Sequence, residues 1–445
     1  MKKLLILIIM ISMLACKPGD DPIPTPPKGG SDLTITDGDI ENKTYNWKKD
    51  TEYLIDGLVY LEEGGLLNIE EGTIIKFKKS PTNPGSNPTS ALIITRGAKI
   101  NAVGTSSEPI IFTSELDDLN GSLGATDNQQ WAGLILLGRA PAEKGGSSEI
   151  QIEGIPSSEP RGIFGGIDKN DNSGILKYVS IRYTGFALNG VAGDEIQGLT
   201  LGGVGAGTTL DYIDIYSSAD DGIEIFGGTV DISHISVAFA TDDSYDFDLG
   251  WRGKATYIFA LQGDESIGFD HVGEWDGASP DDGALFSAPE ISYATFIGPG
   301  LAAVGRDKAI LMRENFAGKI KNSIFADFPG YGIQIEDIDE IENDSYSKIT
   351  NPKDGYQIEL IDNIWSQFAL SDDLASIPKP SGQISDVIEE LENNGNIYQT
   401  ESAVNSISRN RDRGLDPISN GEGGAFQSGN WLKGWSTLDK FGYLK

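Results

Sequence analysis

The chain of 445 residues has one cysteine, Cys16. No internal disulfide can form, so a stable core has to come from buried apolar surface alone. Basic residues are also scarce: 34 Lys and Arg stand against 67 Asp and Glu, a net charge of −33. That balance excludes a nucleic-acid partner, whose phosphates need Lys and Arg, and electrostatic docking on anionic lipid. Cations and neutral or basic partners stay open. Long helix-period stretches are missing, and the one sustained apolar run, Leu4 to Met13, is too short for a stop-transfer helix. The chain does have 56 glycines and many short apolar runs, which point to frequent turns and an all-β fold.

The N-terminus reads as a secretory signal: Lys2 and Lys3, the apolar run, then Leu14-Ala15-Cys16. A small residue directly before cysteine resembles a bacterial lipoprotein signal. Diacylation of Cys16 would supply the two-chain anchor that one acyl chain cannot give. The composition of residues 17–32, rich in Pro, Gly and Asp, predicts an extended tether, and Asp20-Asp21 resembles the surface-export signal of Bacteroidota lipoproteins. The expected organisation is a signal peptide over 1–15, lipidated Cys16 and tether over 16–33, a β solenoid over 34–337, and an acidic irregular region with a C-terminal cap over 338–445.

An internal repeat sets the architecture. The strands "LDYIDIY", "ISHISVA" and "KATYIFA" begin at 210, 232 and 254, and the acidic segments at Asp220, Asp242 and Asp264 follow at the same interval of 22. Ile213 and Ile215 match Ile235 and Val237, then Tyr257 and Phe259. Ile223 and Ile225 match Tyr245 and Phe247, then Ile267 and Phe269. Each unit has at least two strands whose apolar positions recur, so stacked units make continuous apolar ladders. This predicts a single-stranded parallel β-helix of about 22-residue coils, right-handed by the usual sense of parallel crossovers, with a C-terminal irregular cap. A β-propeller is the competitor, but its blades take about 40 to 50 residues. The segment "SDVIEELEN" reads as one short helix.

The runs "WAGLILLGRAP", "FGGIDKNDNSGILKYVSIRYTG", "IQGLTLGGVGAGTTLDYIDIYSSADDGIEIFGGTV", "DDSYDFDLGWRGK" and "NWLKGWSTLDKFGYL" resemble a family of bacterial outer-membrane lipoproteins with a pectin-lyase-like β-helix. The resemblance implies a lipid-anchored protein at the outer membrane, on the cell surface. It also implies association with a TonB-dependent transporter or another outer-membrane protein, and a glycan is a further candidate partner.

Stacking at this period places Asp220, Asp242 and Asp264 in one column and Asp221, Asp243 and Glu265 in a second, with Glu224, Asp246, Asp248 and Asp270 pointing outward beside them. Like charges then lie about 4.8 Å apart, at a cost on the order of 3 kcal/mol per adjacent pair at an effective dielectric of 20. Three readings fit: solvated Asp-Gly turns, a hard cation such as Ca²⁺ among the carboxylates, or paired carboxylates serving as acid and base. The Asp pairs resemble those of polygalacturonases, yet no Gly-His-Gly and no Arg-Ile-Lys follow. Of the only two histidines, His271 reads as a surface or packing residue rather than a base, and His234 as a structural residue on an outer face. "DKNDNSG" gives Asp168, Asn170 and Asn172 the alternating oxygens of a calcium loop, although Ser173 stands where an EF-hand needs glycine and Val179 where it needs glutamate. Trp251 and Trp275, close to the acidic turns, are candidates for stacking on a ligand, while Trp431 and Trp435 belong to the cap. The combined expectation is a non-catalytic, surface-anchored binding or scaffold protein, with calcium as its candidate cofactor. A polysaccharide lyase or hydrolase is the alternative.

Overall fold

Short strands with an apolar residue at every second position bury one face each, and a chain that lays such strands on several sides encloses a core between them. The computed structural model describes residues 33–445 apart from 84–87, 188–194, 282, 306, 339–343 and 351–354. Cys16, the signal and the tether lie outside these residues. Successive coils place strands on three faces, all paired in parallel from coil to coil. On the first face Leu66–Ile69 pairs with Lys99–Val103, and on the second Ile74–Phe77 pairs with Ile110–Ser114. The longer strands Gly174–Thr184 and Thr209–Ser218 bend across both. The third face runs through Leu199–Gly202, Ile223–Phe226, Tyr245–Asp248, Gly273–Asp276 and Lys308–Arg313. This is the parallel β-helix that the repeat implies. Its interior is one continuous apolar cluster from Ile35 to Leu391.

The corner between the first two faces is built from residues in the left-handed region: Tyr178, Tyr212, His234, Tyr257 and Tyr293, with φ from 49° to 57°. That conformation is uncommon for bulky side chains. It recurs here because the rings stack along the solenoid: Tyr212 and His234 lie 4.3 Å apart and 3° from parallel, and His234 lies 5.1 Å from Tyr257. Trp431 meets Tyr212 and His234 edge-on.

The 22-residue spacing holds for one step and then changes. Ile223 pairs with Tyr245, but Tyr245 pairs with Gly273 rather than with Ile267. On the second face Val237 pairs with Ala260, so Phe259 is not the inward residue of that coil. A slip of one residue sends a side chain to the opposite face. Tyr257 accordingly joins the corner stack, and Phe259 packs outside the solenoid against Phe426.

The ladders also run past residue 337. Ile358–Ile361 continues the first face on Gly318–Lys321, Ile364–Phe368 continues the second on Ile324–Phe328, and Ile397–Gln399 follows. The expected irregular region therefore contains further coil strands, reached through a long insertion that hid their period. Helix Ser385–Asn393 forms where "SDVIEELEN" predicts it and buries Val387 and Leu391 against the core. The last residues return along the solenoid. Thr437 there donates its N–H (2.9 Å) and hydroxyl (2.5 Å) to Asp214, and the Tyr443 and Tyr216 hydroxyls lie 2.9 Å apart. No helix among the described residues is long and apolar enough to cross a membrane.

Candidate functional site

The alternation of the third face builds the site. Ile223, Ile225, Tyr245, Phe247 and Trp275 point inward and are fully buried. Glu224, Asp246 and Glu274 occupy the intervening outward positions, and the register places them in one column. The turns before these strands add Asp220-Asp221, Asp242-Asp243 and Asp270-His271 in successive coils. The coils are tied by bonds from Asp243 N–H to Asp221 Oδ1 (2.9 Å), from His271 N–H to Asp243 Oδ1 (2.6 Å), and from Asp270 N–H to the Asp242 carbonyl (3.2 Å). The strand ends contribute Asp248 and Asp276, an excursion of the chain between Leu137 and Gly174 supplies Lys144 and Glu153, and the segment that leads into Leu199–Gly202 supplies Glu195 and Gln197. Together these residues enclose a cleft of about 570 Å³. It is lined by twelve carboxyl groups, against Lys144, Lys308, Arg313 and His271.

Crowded carboxylates with limited access to water resist ionisation, both by burial and by mutual repulsion. Burial, reinforced by Asp242 and Glu195, pushes Asp220 up to about 8. Asp243 and Asp248 rise to about 7 and Asp276 to about 6, in each case mainly through burial. Asp221, Glu224 and Asp246 lie well above the carboxylate range for the same reason. Burial also acts on Glu274, but His271 and Arg313 outweigh it and hold this carboxyl below its ordinary value. His271 is the counterpart: burial opposes its charge, yet Asp243 and Glu274 raise it to about 9.

The arrangement suits a hard cation. Ligand oxygens of Asp220, Asp221 and Asp242 lie within 4.8 Å of one another, as do those of Asp221, Glu224 and Asp246 and those of Asp242, Asp243 and Asp270. Glu224 Oε2 and Asp246 Oδ1 are buried without a hydrogen-bond donor. Carboxyl oxygens without donors, converging in overlapping groups, match the all-oxygen coordination that Ca²⁺ takes once it displaces their protons.

Of the residues singled out from the sequence, Asp220, Asp221, Asp242, Asp243, Asp246, Asp248 and Asp270 meet in this cleft. Asp264 does not. The coil between Asp242 and Asp270 has a loop that carries Asp264 and Glu265 away from the column, and Asp264 instead accepts bonds from the Ser266 N–H and hydroxyl at 2.9 and 2.5 Å. Asp270 and His271 take the places expected of Asp264 and Glu265. Asp168 and Asn172 spend their oxygens on local turns, accepting from Asn170 N–H (3.0 Å) and Gly174 N–H (2.8 Å), while Asn170 is exposed. These three residues belong to a turn outside the cleft. Trp251 and Trp275 are fully buried, with their indole N–H groups bonded to the carbonyls of Val230 (3.0 Å) and Tyr245 (3.2 Å). They are core residues and present no face to a ligand. His271, Glu274 and Asp276 were missed as site residues. The signal was present in "DHVGEWD", which aligns with "DDSYDFD" once the loop is allowed for.

A family model described as a pectate-lyase-like beta helix domain matches residues 38–435. No curated protein and no solved structure matches the chain.

Proposed function

The chain belongs to the pectate-lyase-like β-helix family, and we propose that it is a membrane-anchored, non-catalytic binding protein. Its lateral acidic cleft holds hard divalent cations of the Ca²⁺ class and, through them, an anionic ligand such as a glycan. The observation that carries this reading is the set of buried carboxylate oxygens without donors, Glu224 Oε2 and Asp246 Oδ1, inside the overlapping carboxylate groups. A cation relieves the repulsion there and supplies the missing partner at once. Asp221 belongs to two of the groups, so two ions would share it as a bridging ligand. Acyl chains on Cys16 hold the solenoid at the surface of a bacterial outer membrane through the tether, within reach of a TonB-dependent transporter. Support for this part comes from the N-terminal sequence and the family resemblance.

Thermal melts in chelator, in calcium and in sodium chloride of matched ionic strength test the cleft. Calcium is expected to raise the melting temperature beyond what screening gives, through a stabilisation of about 2.7 kcal/mol at a hundredfold excess over the dissociation constant. Asp242→Asn/Asp243→Asn is expected to lose the calcium-specific part. Equal effects of the two salts on the wild type would overturn the proposal. For the anchor, Cys16→Ser is expected to move the protein from the membrane to the soluble fraction, and retention on the membrane would refute it.

One observation favours a second reading as a polysaccharide hydrolase or lyase. Glu274 is held ionised close to groups such as Asp243 that titrate near 7, which is the contrast an acid and a base require. New reducing ends or unsaturated products from an acidic polysaccharide, abolished by Asp243→Asn, would put this reading first.

A further inference from the structure

We propose that the cleft contains a second kind of metal site, in which His271, Asp243 and Glu274 bind a first-row transition ion of the Zn²⁺ class. It shares Asp243 with one all-oxygen group, that of Asp242, Asp243 and Asp270, and does not depend on calcium occupying any of them. His271 is 2% exposed and faces the cavity. Its Nδ1 lies 3.3 Å from Asp243 Oδ1, 3.2 Å from Glu274 Oε2 and 3.1 Å from Asp270 Oδ1. Neither ring nitrogen makes a hydrogen bond of acceptable geometry, so a buried imidazole sits among anionic oxygens without a satisfied donor or acceptor.

The spacing fits a metal. Four ligands placed tetrahedrally at about 2.0–2.1 Å from zinc are separated from each other by about 3.3–3.4 Å, close to the distances from Nδ1 to these oxygens. An imidazole nitrogen is a poor ligand for Ca²⁺, which prefers oxygen throughout, and a good one for Zn²⁺ or Co²⁺. The surroundings orient the carboxylates as outer partners of a metal site do. Asp243 Oδ1 also accepts the His271 backbone N–H. The other oxygen of Glu274 is bonded by the Arg313 guanidinium, which Asp276 holds in turn at 2.7 and 3.0 Å. Three protein ligands leave one tetrahedral position towards the cavity, where a water or an oxygen of the bound ligand completes the shell.

The alternative is an imidazolium held as an ion pair by the same carboxylates, and the two are separable because the chain has only two histidines. Chelator-stripped, full-length mature protein with ¹⁵N-labelled histidine gives two ring systems, and His234, fixed in the aromatic stack, serves as the internal reference. In millimolar Ca²⁺, one equivalent of Zn²⁺ is expected to bind by calorimetry, to shift the His271 ring and to leave that of His234 in place. Glu274→Gln is expected to weaken Zn²⁺ at least about tenfold, by analogy with the losses seen when metal-site partners are removed, while the calcium-dependent rise in melting temperature persists. His271→Gln is expected to abolish Zn²⁺ binding, and should that variant not fold, the wild-type ring shift and Glu274→Gln decide the question. A His271 ring that stays that of an imidazolium with Zn²⁺ present, or Zn²⁺ binding that Ca²⁺ displaces at equal concentration, would overturn the proposal. Zn²⁺ binding without any calcium effect would instead count against the hard-cation reading alone.

Discussion

Trp275 shows how one side chain changes role once its neighbours are known. From sequence it stands among acidic residues and invites a stacking role, because tryptophan beside carboxylates suits a ligand surface. In the fold it occupies an inward position of the third face, stacks on Phe247 at 5.6 Å and bonds the Tyr245 carbonyl. Its neighbours in sequence, Glu274 and Asp276, point to the opposite side. A period of two puts a core residue and two cleft residues within three positions, and composition alone cannot separate them. Trp275→Ala should therefore act through the core, costing about 3–5 kcal/mol by denaturant unfolding. A stability within about 1 kcal/mol of wild type would return Trp275 to the surface.

At the scale of strands and coils, the sequence discloses the fold because stacking demands repetition. Leu210, Ile213 and Ile215 recur as Ile232, Ile235 and Val237, and the structure pairs them in that register. The acidic turns at Asp220 and Asp242 were legible for the same reason. What stayed hidden was the change of step. A solenoid tolerates a loop wherever the chain leaves one coil and enters the next, since the ladder constrains only the strands. Between Leu261 and Asp270 such a loop begins at an exposed Asp-Glu pair, Asp264-Glu265, which imitates the acidic turn it displaces. The true partner, Asp270-His271, carries a histidine where the earlier coils carry aspartate, so a search for repeated carboxylates passes over it. The strand Ile358–Ile361 was hidden by similar means, behind an insertion too long for the period to bridge.

For the molecule as a whole, a net charge of −33 and a cleft lined by twelve carboxyl groups make stability a function of pH, and the sign can be worked out group by group. In the unfolded chain the carboxyls ionise near 4. In the folded cleft Asp220 holds its proton to about 8, and Asp243 and Asp248 hold theirs to about 7. The folded state thus binds more protons than the unfolded one from about pH 4 upward, so these groups make stability fall as pH rises through 7 and 8. His271 acts in the same direction, because its charge stabilises the fold below its ordinary value and is lost as pH rises through about 9. Glu274 acts in the opposite direction, but only in acid below its ordinary range. In chelator the melting temperature is therefore expected to fall as pH rises from 5 to 9. Saturating calcium should flatten this fall by taking the place of the protons. General repulsion over the surface would produce a fall as well, but sodium chloride would suppress it and Asp242→Asn/Asp243→Asn would leave it almost unchanged. A cleft origin requires the reverse: persistence in salt and a clear flattening in the double variant. A melting temperature in chelator that is level or rises over this range would mean that the cleft carboxyls ionise freely, and that the crowding on the third face is relieved by solvent rather than by protons or metal.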